Sequence, residues 1–277
     1  MSIRIRRYSA MMPIAAGLSL LGLGVTAISP TPAGAQNLYY SGVGYDMSYA
    51  QCSVKGVPTD LNHPVTFAII GVGGGRPFTA NTCAPSQWRY AGSQNQQRSL
   101  YFNTGYALAY AKSETSDCAT ASTQQSFPGS TKHQLSALQT AWAIGCSESD
   151  YAMALAPGTP VAWWADIETA NSWSNNLSLN QATIDGIVTE LAQKSPTTPI
   201  GVYSSPSMWQ QIVGVGYVNP SIVADWQAGT TCPSPNSSTG QIDGFSLTSS
   251  TTPAPLWLAQ SGSWSAYYTT FDKDTAC

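Results

Sequence analysis

Asp166 and Glu168 stand one residue apart in Pro160-Val-Ala-Trp-Trp-Ala-Asp-Ile-Glu168, a run that otherwise reads as a buried strand. Only 9% of the 277 residues are charged, so two carboxyl groups in an apolar run are conspicuous. Side chains at i and i+2 of a strand point to the same face, about 7 Å apart at a rise of ~3.3 Å per residue. Such a segment must open its carboxylates to a cleft or bear the cost of burying them. Paired carboxylates in a cleft suit glycoside hydrolysis, where one protonates the leaving oxygen and the other attacks or stabilises the sugar. The bland alternative is one ion-paired Asp beside a solvent-facing Glu.

The elements that must position this pair are short apolar runs alternating with amphipathic stretches. Candidate strands are Gly42–Met47, Thr66–Val72, Ser99–Asn103, Val161–Ile167, Ile200–Tyr203, Ile222–Asp225 and Leu256–Ala259, with a weaker one at Ala266–Phe271. Most are apolar on both faces, as parallel strands covered by helices are. Thr131-x-x-Gln134 has the form of a capping box and leads into Leu135, Leu138 and Trp142, with Gly145 as the expected end. Ile184, Ile187, Val188 and Leu191 make a helical stripe. Ser205-Pro206 reads as an N-cap with Pro in the first turn. Further helices are expected over Pro85–Gly92 and Ser149–Leu155, whereas Lys112–Ser130 and Thr230–Pro255 read as polar loops. The fold class expected is α/β, a (β/α)8-type TIM barrel that is less regular in its last third, where helices are weak or absent.

Arg4, Arg6 and Arg7, the apolar stretch Met11–Ile28 and Ala33-Gly34-Ala35 read as a cleaved secretory signal over residues 1–35. Residues 36–277 then form a single domain, expected to be monomeric, without membrane insertion, and secreted, extracellular or cell-wall associated. The chain holds 11 basic and 14 acidic residues, and three of the basic ones fall in that segment. Such a balance argues against nucleic acid, because phosphate neutralisation needs clustered Lys and Arg. The six cysteines all lie downstream of the segment and argue for three disulfides in an exported chain. Pairing of sequence neighbours, Cys52–Cys83, Cys118–Cys146 and Cys232–Cys277, is the simplest of the 15 sets that six cysteines allow. No CxxC occurs, and only His63 and His133 could assist a metal, so neither metal nor cofactor is expected.

If Val161–Ile167 is a barrel strand, Asp166 and Glu168 lie at its C-terminal end, where active sites of this fold sit. The first candidate strand runs into Asp46-Met-Ser48-Tyr-Ala-Gln51, and the last into Phe271-Asp272-Lys-Asp274. Together with Phe67-Ala-Ile-Ile-Gly71, Pro199-Ile-Gly-Val-Tyr203-Ser and Val223-Ala-Asp225-Trp226, these motifs give a chain that resembles the family-25 glycoside hydrolases, the lysozymes of the Chalaropsis type. It resembles still more the secreted glycoside-hydrolase-like domains related to them. The resemblance spans most of residues 42–274 and rests on the joint order of short motifs. It implies cleavage of the β-1,4 bond between N-acetylmuramic acid and N-acetylglucosamine in peptidoglycan, or of a related acetamido-sugar polymer. It assigns Glu168 as general acid, and Asp166 as the group that stabilises the sugar or orients its acetamido group. Asp46 would line the pocket and raise the proton affinity of Glu168 through like-charge repulsion, and Asp272 would close the acidic ring. Two departures stand out: Leu258-Ala259-Gln260-Ser261 where the family has Trp-Gln-Tyr, and Tyr101-Phe-Asn-Thr-Gly105 after the third strand.

Expected substrate contacts are Ser48, Gln51, Asn171, Tyr203, Asp225 and Gln260, with Trp164, Trp173 and Trp226 as sugar platforms. Asn171-Ser172-Trp173 is the leading loop for this. Gly71-Val-Gly-Gly-Gly75-Arg76 lacks the Gly-Lys-Ser/Thr ending of a phosphate loop and reads as a turn at the barrel mouth. The second function class is a non-catalytic carbohydrate-binding, wall-associated module on a degenerate hydrolase barrel. Four mutually repelling acids speak against it. A chitinase and a metal-dependent phosphodiesterase rank lower. The first lacks further acids in Val161–Ala165, and the second lacks well-placed histidines.

Overall fold

The computed structural model describes residue 37 and residues 39–52, 65–233, 243–247, 253–266 and 269–277. The expected export segment and His63 lie outside them. Seven strands run in parallel around a closed barrel: β1 (Val43–Met47), β2 (Val65–Gly71), β3 (Gln97–Asn103), β4 (Trp163–Asp166), β5 (Ile200–Ser204), β6 (Ala224–Ala228) and β8 (Pro253–Ala266). The eighth, β9 (Thr269–Ala276), is antiparallel to both β8 and β1 and closes the ring. β7 (Asp243–Leu247) flanks β8 outside it. The barrel is therefore mixed. Only two residues link β8 to β9, and so short a connection permits only an antiparallel neighbour.

Helices cover the parallel part: α1 (Ala84–Ser93), α2 (Ser116–Ser122), α3 (Lys132–Ala154), α4 (Leu177–Lys194) and α5 (Pro206–Val213). The Thr131 capping box forms as expected, and Ser205 accepts the Met208 N–H to start α5. Gly145 does not end α3, which continues through the separately expected Ser149–Leu155 segment. It is instead a contact point, where a Cβ would lie 1.9 Å from Thr183 O of α4, just as a Cβ on Gly186 would lie 2.1 Å from Trp142 O of α3. The two glycines let the longest helices meet backbone to backbone. Two stretches expected as polar loops hold regular elements: α2 occupies part of Lys112–Ser130, and β7 part of Thr230–Pro255.

Alternation splits the apolar residues into two layers. Phe67, Ile69, Trp164, Trp226, Trp257 and Leu258 fill the barrel interior, while Ala68, Ile70, Leu100, Trp163, Ala165 and Val202 pack outward beneath the helices. The three disulfides join Cys52 to Cys83, Cys118 to Cys146 and Cys232 to Cys277, the sequence-neighbour set. No helix among the described residues is long and apolar enough to cross a membrane.

Candidate active site

Asp46 is the penultimate residue of β1, and its register partner on β9 is Asp272. Asp46 is 9% exposed, whereas Asp272 is open to solvent. Gln260 of β8 donates from Nε2 to Asp46 Oδ2 at 2.9 Å, and the Tyr203 hydroxyl of β5 donates to Gln260 Oε1 at 2.6 Å. Burial first, then the Asp272 charge, pushes Asp46 up to about 7, against the pull of the Gln260 amide. Burial also raises Asp272.

Asp166 ends β4 between Asn103 of β3 and Tyr203 of β5 in register. The Asn103 amide donates to Asp166 Oδ2, and Asn171 Nδ2 donates to the Asp166 carbonyl at 3.0 Å and reaches Oδ1 at 3.5 Å. Burial, with Asp166 only 3% exposed, and then the adjacent Glu168 carboxyl raise its pKa well above the carboxylate range. Glu168 lies two residues on, beyond the strand end and half-buried. Its carbonyl accepts the Asn171 N–H at 3.1 Å and the Trp173 Nε1–H at 2.8 Å, which fixes the turn that presents it. Asp166 is in register with Tyr203, and Tyr203 is linked through Gln260 to Asp46, so these groups share one mouth with Glu168 two residues beyond Asp166.

Tyr101 and Tyr203 make the walls beneath these acids. Tyr101 lies across Gly71, where a Cβ would come within 2.7 Å of its ring. Burial, followed by the Asp46 and Asp166 charges, raises the Tyr101 phenol, and burial with the Glu168 charge raises Tyr203. Both stay neutral donors. Asp274, the second acid of the β9 pair, turns into the barrel and accepts the Trp226 Nε1–H at 2.8 Å.

The remaining sequence-singled residues are distributed unevenly. Trp164 and Trp226, expected as sugar platforms, are 0% and 2% exposed and pack edge to face inside the barrel with centroids 5.9 Å apart. Trp164 shares a strand face with Asp166, as alternation requires, but Tyr40, Trp226 and Trp257 pack around it. Asp225 points to the other side of β6. Its carboxylate accepts the Phe245 and Ser246 N–H groups at 2.6 and 2.9 Å and the Ser246 hydroxyl, pinning β7. Ser48 and Gln51 form a capping box on the 3-10 turn Tyr49–Gln51, and Gln51 Nε2 also donates to Thr270 O at 3.0 Å. Trp173 packs back on the helix layer rather than over the acids.

Asn103 and Tyr101 entered the sequence reading only within the departure Tyr101-Phe-Asn-Thr-Gly105 and not as site residues. The signal that would have found them is again alternation: both stand on the same face of β3, with Asn103 at the strand end level with Asp166. Among the described residues, the one cluster with metal-ligand chemistry is Cys118, Cys146 and Glu190, and its two sulfurs are joined in a disulfide.

No known family profile matches the chain, and no curated protein sequence matches it. Solved structures do. A family-25 lysozyme from Aspergillus fumigatus superposes with a TM-score of 0.51 at 16% identity, over 86% of this chain and 94% of that one. A bacterial lysozyme from Streptomyces coelicolor gives 0.49 at 14% identity, over 86% and 92%. A family-25 glycosyl hydrolase from Bacillus anthracis gives 0.49 at 11% identity, over 90% and 94%. The barrel with its antiparallel closing strand is thus a family-25 glycoside-hydrolase-like fold.

Proposed function

We propose that the protein is an exported glycoside hydrolase of lysozyme type that cleaves β-1,4 bonds in peptidoglycan or a related acetamido-sugar polymer. The observation that carries this reading is the convergence of Asp46, Asp166, Glu168 and Asp272 from β1, β4 and β9 at one barrel mouth. Coupled carboxyl groups titrate as a unit. Burial, then the neighbouring Glu168 carboxyl, raises Asp166 and favours its protonated form. Asp166 is enclosed by Asn103 and Asn171, so Glu168 is the member that faces a substrate and delivers the proton to the leaving oxygen. The proton reaches Glu168 from Asp166, so Asp166, held by those two amides, is left negative as positive charge develops on the sugar, or it orients the acetamido group. General acid catalysis of this kind contributes about 10²- to 10⁴-fold.

A wall-binding module without turnover is the competing reading, and the acids weigh against it. Burying several like-charged carboxyls costs stability unless chemistry needs them. Release of reducing ends from peptidoglycan and from chitin, measured beside a pull-down on both polymers, separates the two. Turnover lost in Glu168→Gln with binding retained supports the hydrolase. Retention of polymer by the wild type without any release supports the module.

A further inference from the structure

Glu148 plays no part in the chemistry above, yet its carboxyl is enclosed beside the site. It lies on the face of α3 turned to the barrel, 2% exposed, among Ser147, Ser149 and Ala152. Its Oε2 accepts the Gly105 N–H at 3.3 Å, while Oε1 has no hydrogen-bond partner among the described residues. The side chain borders a small pocket of about 10 Å³ whose wall includes Gly73, Phe78, Asn103 and Tyr151. A buried acid with half its capacity unmet is an expensive way to fill space, and an apolar side chain would pack there at less cost.

The segment it grips is the one that holds Asp166. The Asn103 amide donates to the Asp166 carboxylate. Thr104 donates to the Asp166 carbonyl twice, from N at 3.3 Å and from Oγ1 at 2.6 Å. Tyr106 N donates to Ser172 O at 2.7 Å, which ties in the loop that presents Glu168. Gly105, between these contacts, leaves no room for a Cβ, which would sit 2.7 Å from Ser172 O. From the helix side, the Glu148 carboxyl is the polar group that meets this run.

We infer that Glu148 is a positioning residue of the proposed hydrolytic site, acting through residues 103–106 on Asp166 and thereby on the Asp166–Glu168 pair. This rests on the hydrolase reading for its kinetic consequence but not for its structural one. Burial raises Glu148 well above its ordinary value and favours the protonated form, opposed only by the Gly105 N–H. Gln is its near-isosteric mimic and retains an acceptor for Gly105.

The test compares Glu148→Gln with Glu148→Ala on soluble peptidoglycan fragments. Glu148→Gln is expected to keep kcat within about twofold of wild type, and Glu148→Ala to lose about ten- to a hundredfold in kcat with KM little changed, as a misplaced catalytic group does. Equal kcat per folded molecule in Glu148→Ala, or equal losses in both variants, overturns the inference. Should Glu148→Ala not fold, Glu148→Asp withdraws the carboxyl by one methylene, and wild-type kcat there overturns it as well. Amide hydrogen exchange is read in parallel and needs no turnover. The Thr104 and Gly105 amides are expected to exchange about tenfold faster or more in the impaired variant while Ala141 and Ile144 of α3 stay protected. Unchanged exchange at Thr104 and Gly105 sinks the inference, whereas a wild type that releases no reducing ends sinks only the hydrolase reading.

Discussion

The Gln260 amide donates to Asp46 while its carbonyl accepts the Tyr203 hydroxyl, so one side chain on β8 ties β1 to β5 across the barrel mouth. Gln260 is thus a hydrogen-bonded clamp on a buried acid. Gln260 favours the ionised form of Asp46, whereas burial and Asp272 favour the protonated one. The balance at about 7 places Asp46 where it changes charge near neutrality.

Gln260→Leu removes the one lowering influence on Asp46. Its titration midpoint is therefore expected to rise above about 7, read from the side-chain carboxyl carbon by NMR. An unmoved midpoint would mean that the amide does not govern this group.

Stability should fall as pH rises through the weakly acidic range. Asp46 and Asp225 move from an ordinary 3.8 to about 7 on folding, each chiefly by burial. The folded chain therefore holds protons that the unfolded chain has released between those values. Their stabilising contribution is complete below 3.8, declines as pH climbs towards about 7, and is level above it. Asp166, Glu148 and Asp274 shift in the same direction. The urea midpoint is expected to be higher at pH 5 than at pH 8, with a shallower slope in Asp46→Asn. A midpoint that climbs with pH would contradict the assignment.

Much of this was legible in the chain because it depends on period and order. The strands read from apolar runs fell within a few residues of β1 to β6, and the capping box and Ser205-Pro206 marked real helix starts. Asp46, Asp166 and Glu168 could be placed at strand ends because each follows an apolar run. Asp272, expected at the end of a strand over Ala266–Phe271, lies inside β9, because β8 runs on to Ala266 and β9 begins only at Thr269. Trp164 and Trp226 show what period alone does not give. A residue's face follows from alternation, but its depth inside a closed barrel depends on which strands neighbour it. β7 was invisible because its anchor is one distant side chain, Asp225, and not its own pattern. Gly145 read as a helix end because glycine commonly is one. Its actual reason, the approach of α4, lies 38 residues away in the chain at Thr183.

That approach makes a stability prediction. A methyl group at Gly145 or Gly186 would meet backbone oxygen at 1.9 or 2.1 Å, and backbone cannot rotate aside. Alanine has the higher helix propensity, so an isolated helix would gain. The packing cost prevails. Gly145→Ala and Gly186→Ala are each expected to destabilise by about 1–3 kcal/mol, the usual range for overpacking, measured by urea denaturation. A stabilised Gly186→Ala would show that the helices can part freely.

The Cys232–Cys277 bond spans 45 residues and secures the end of the strand that delivers Asp272. Cross-linking a loop of this size restricts the unfolded chain and stabilises the fold by about 2–4 kcal/mol. The folded strand has other supports, because β9 pairs with β1 on one side and β8 on the other, and Cys277 N donates to Trp257 O at 2.8 Å. The double substitution Cys232→Ser/Cys277→Ser should therefore lower the unfolding free energy by that amount while leaving Asp272 in register with Asp46. Under the proposed function, turnover at 25 °C stays within about twofold of wild type, and the loss appears only on heating, as an earlier inactivation. A large fall in kcat at 25 °C, with the chain still folded by circular dichroism, would show that the two sheet neighbours do not hold β9 in place without the bond.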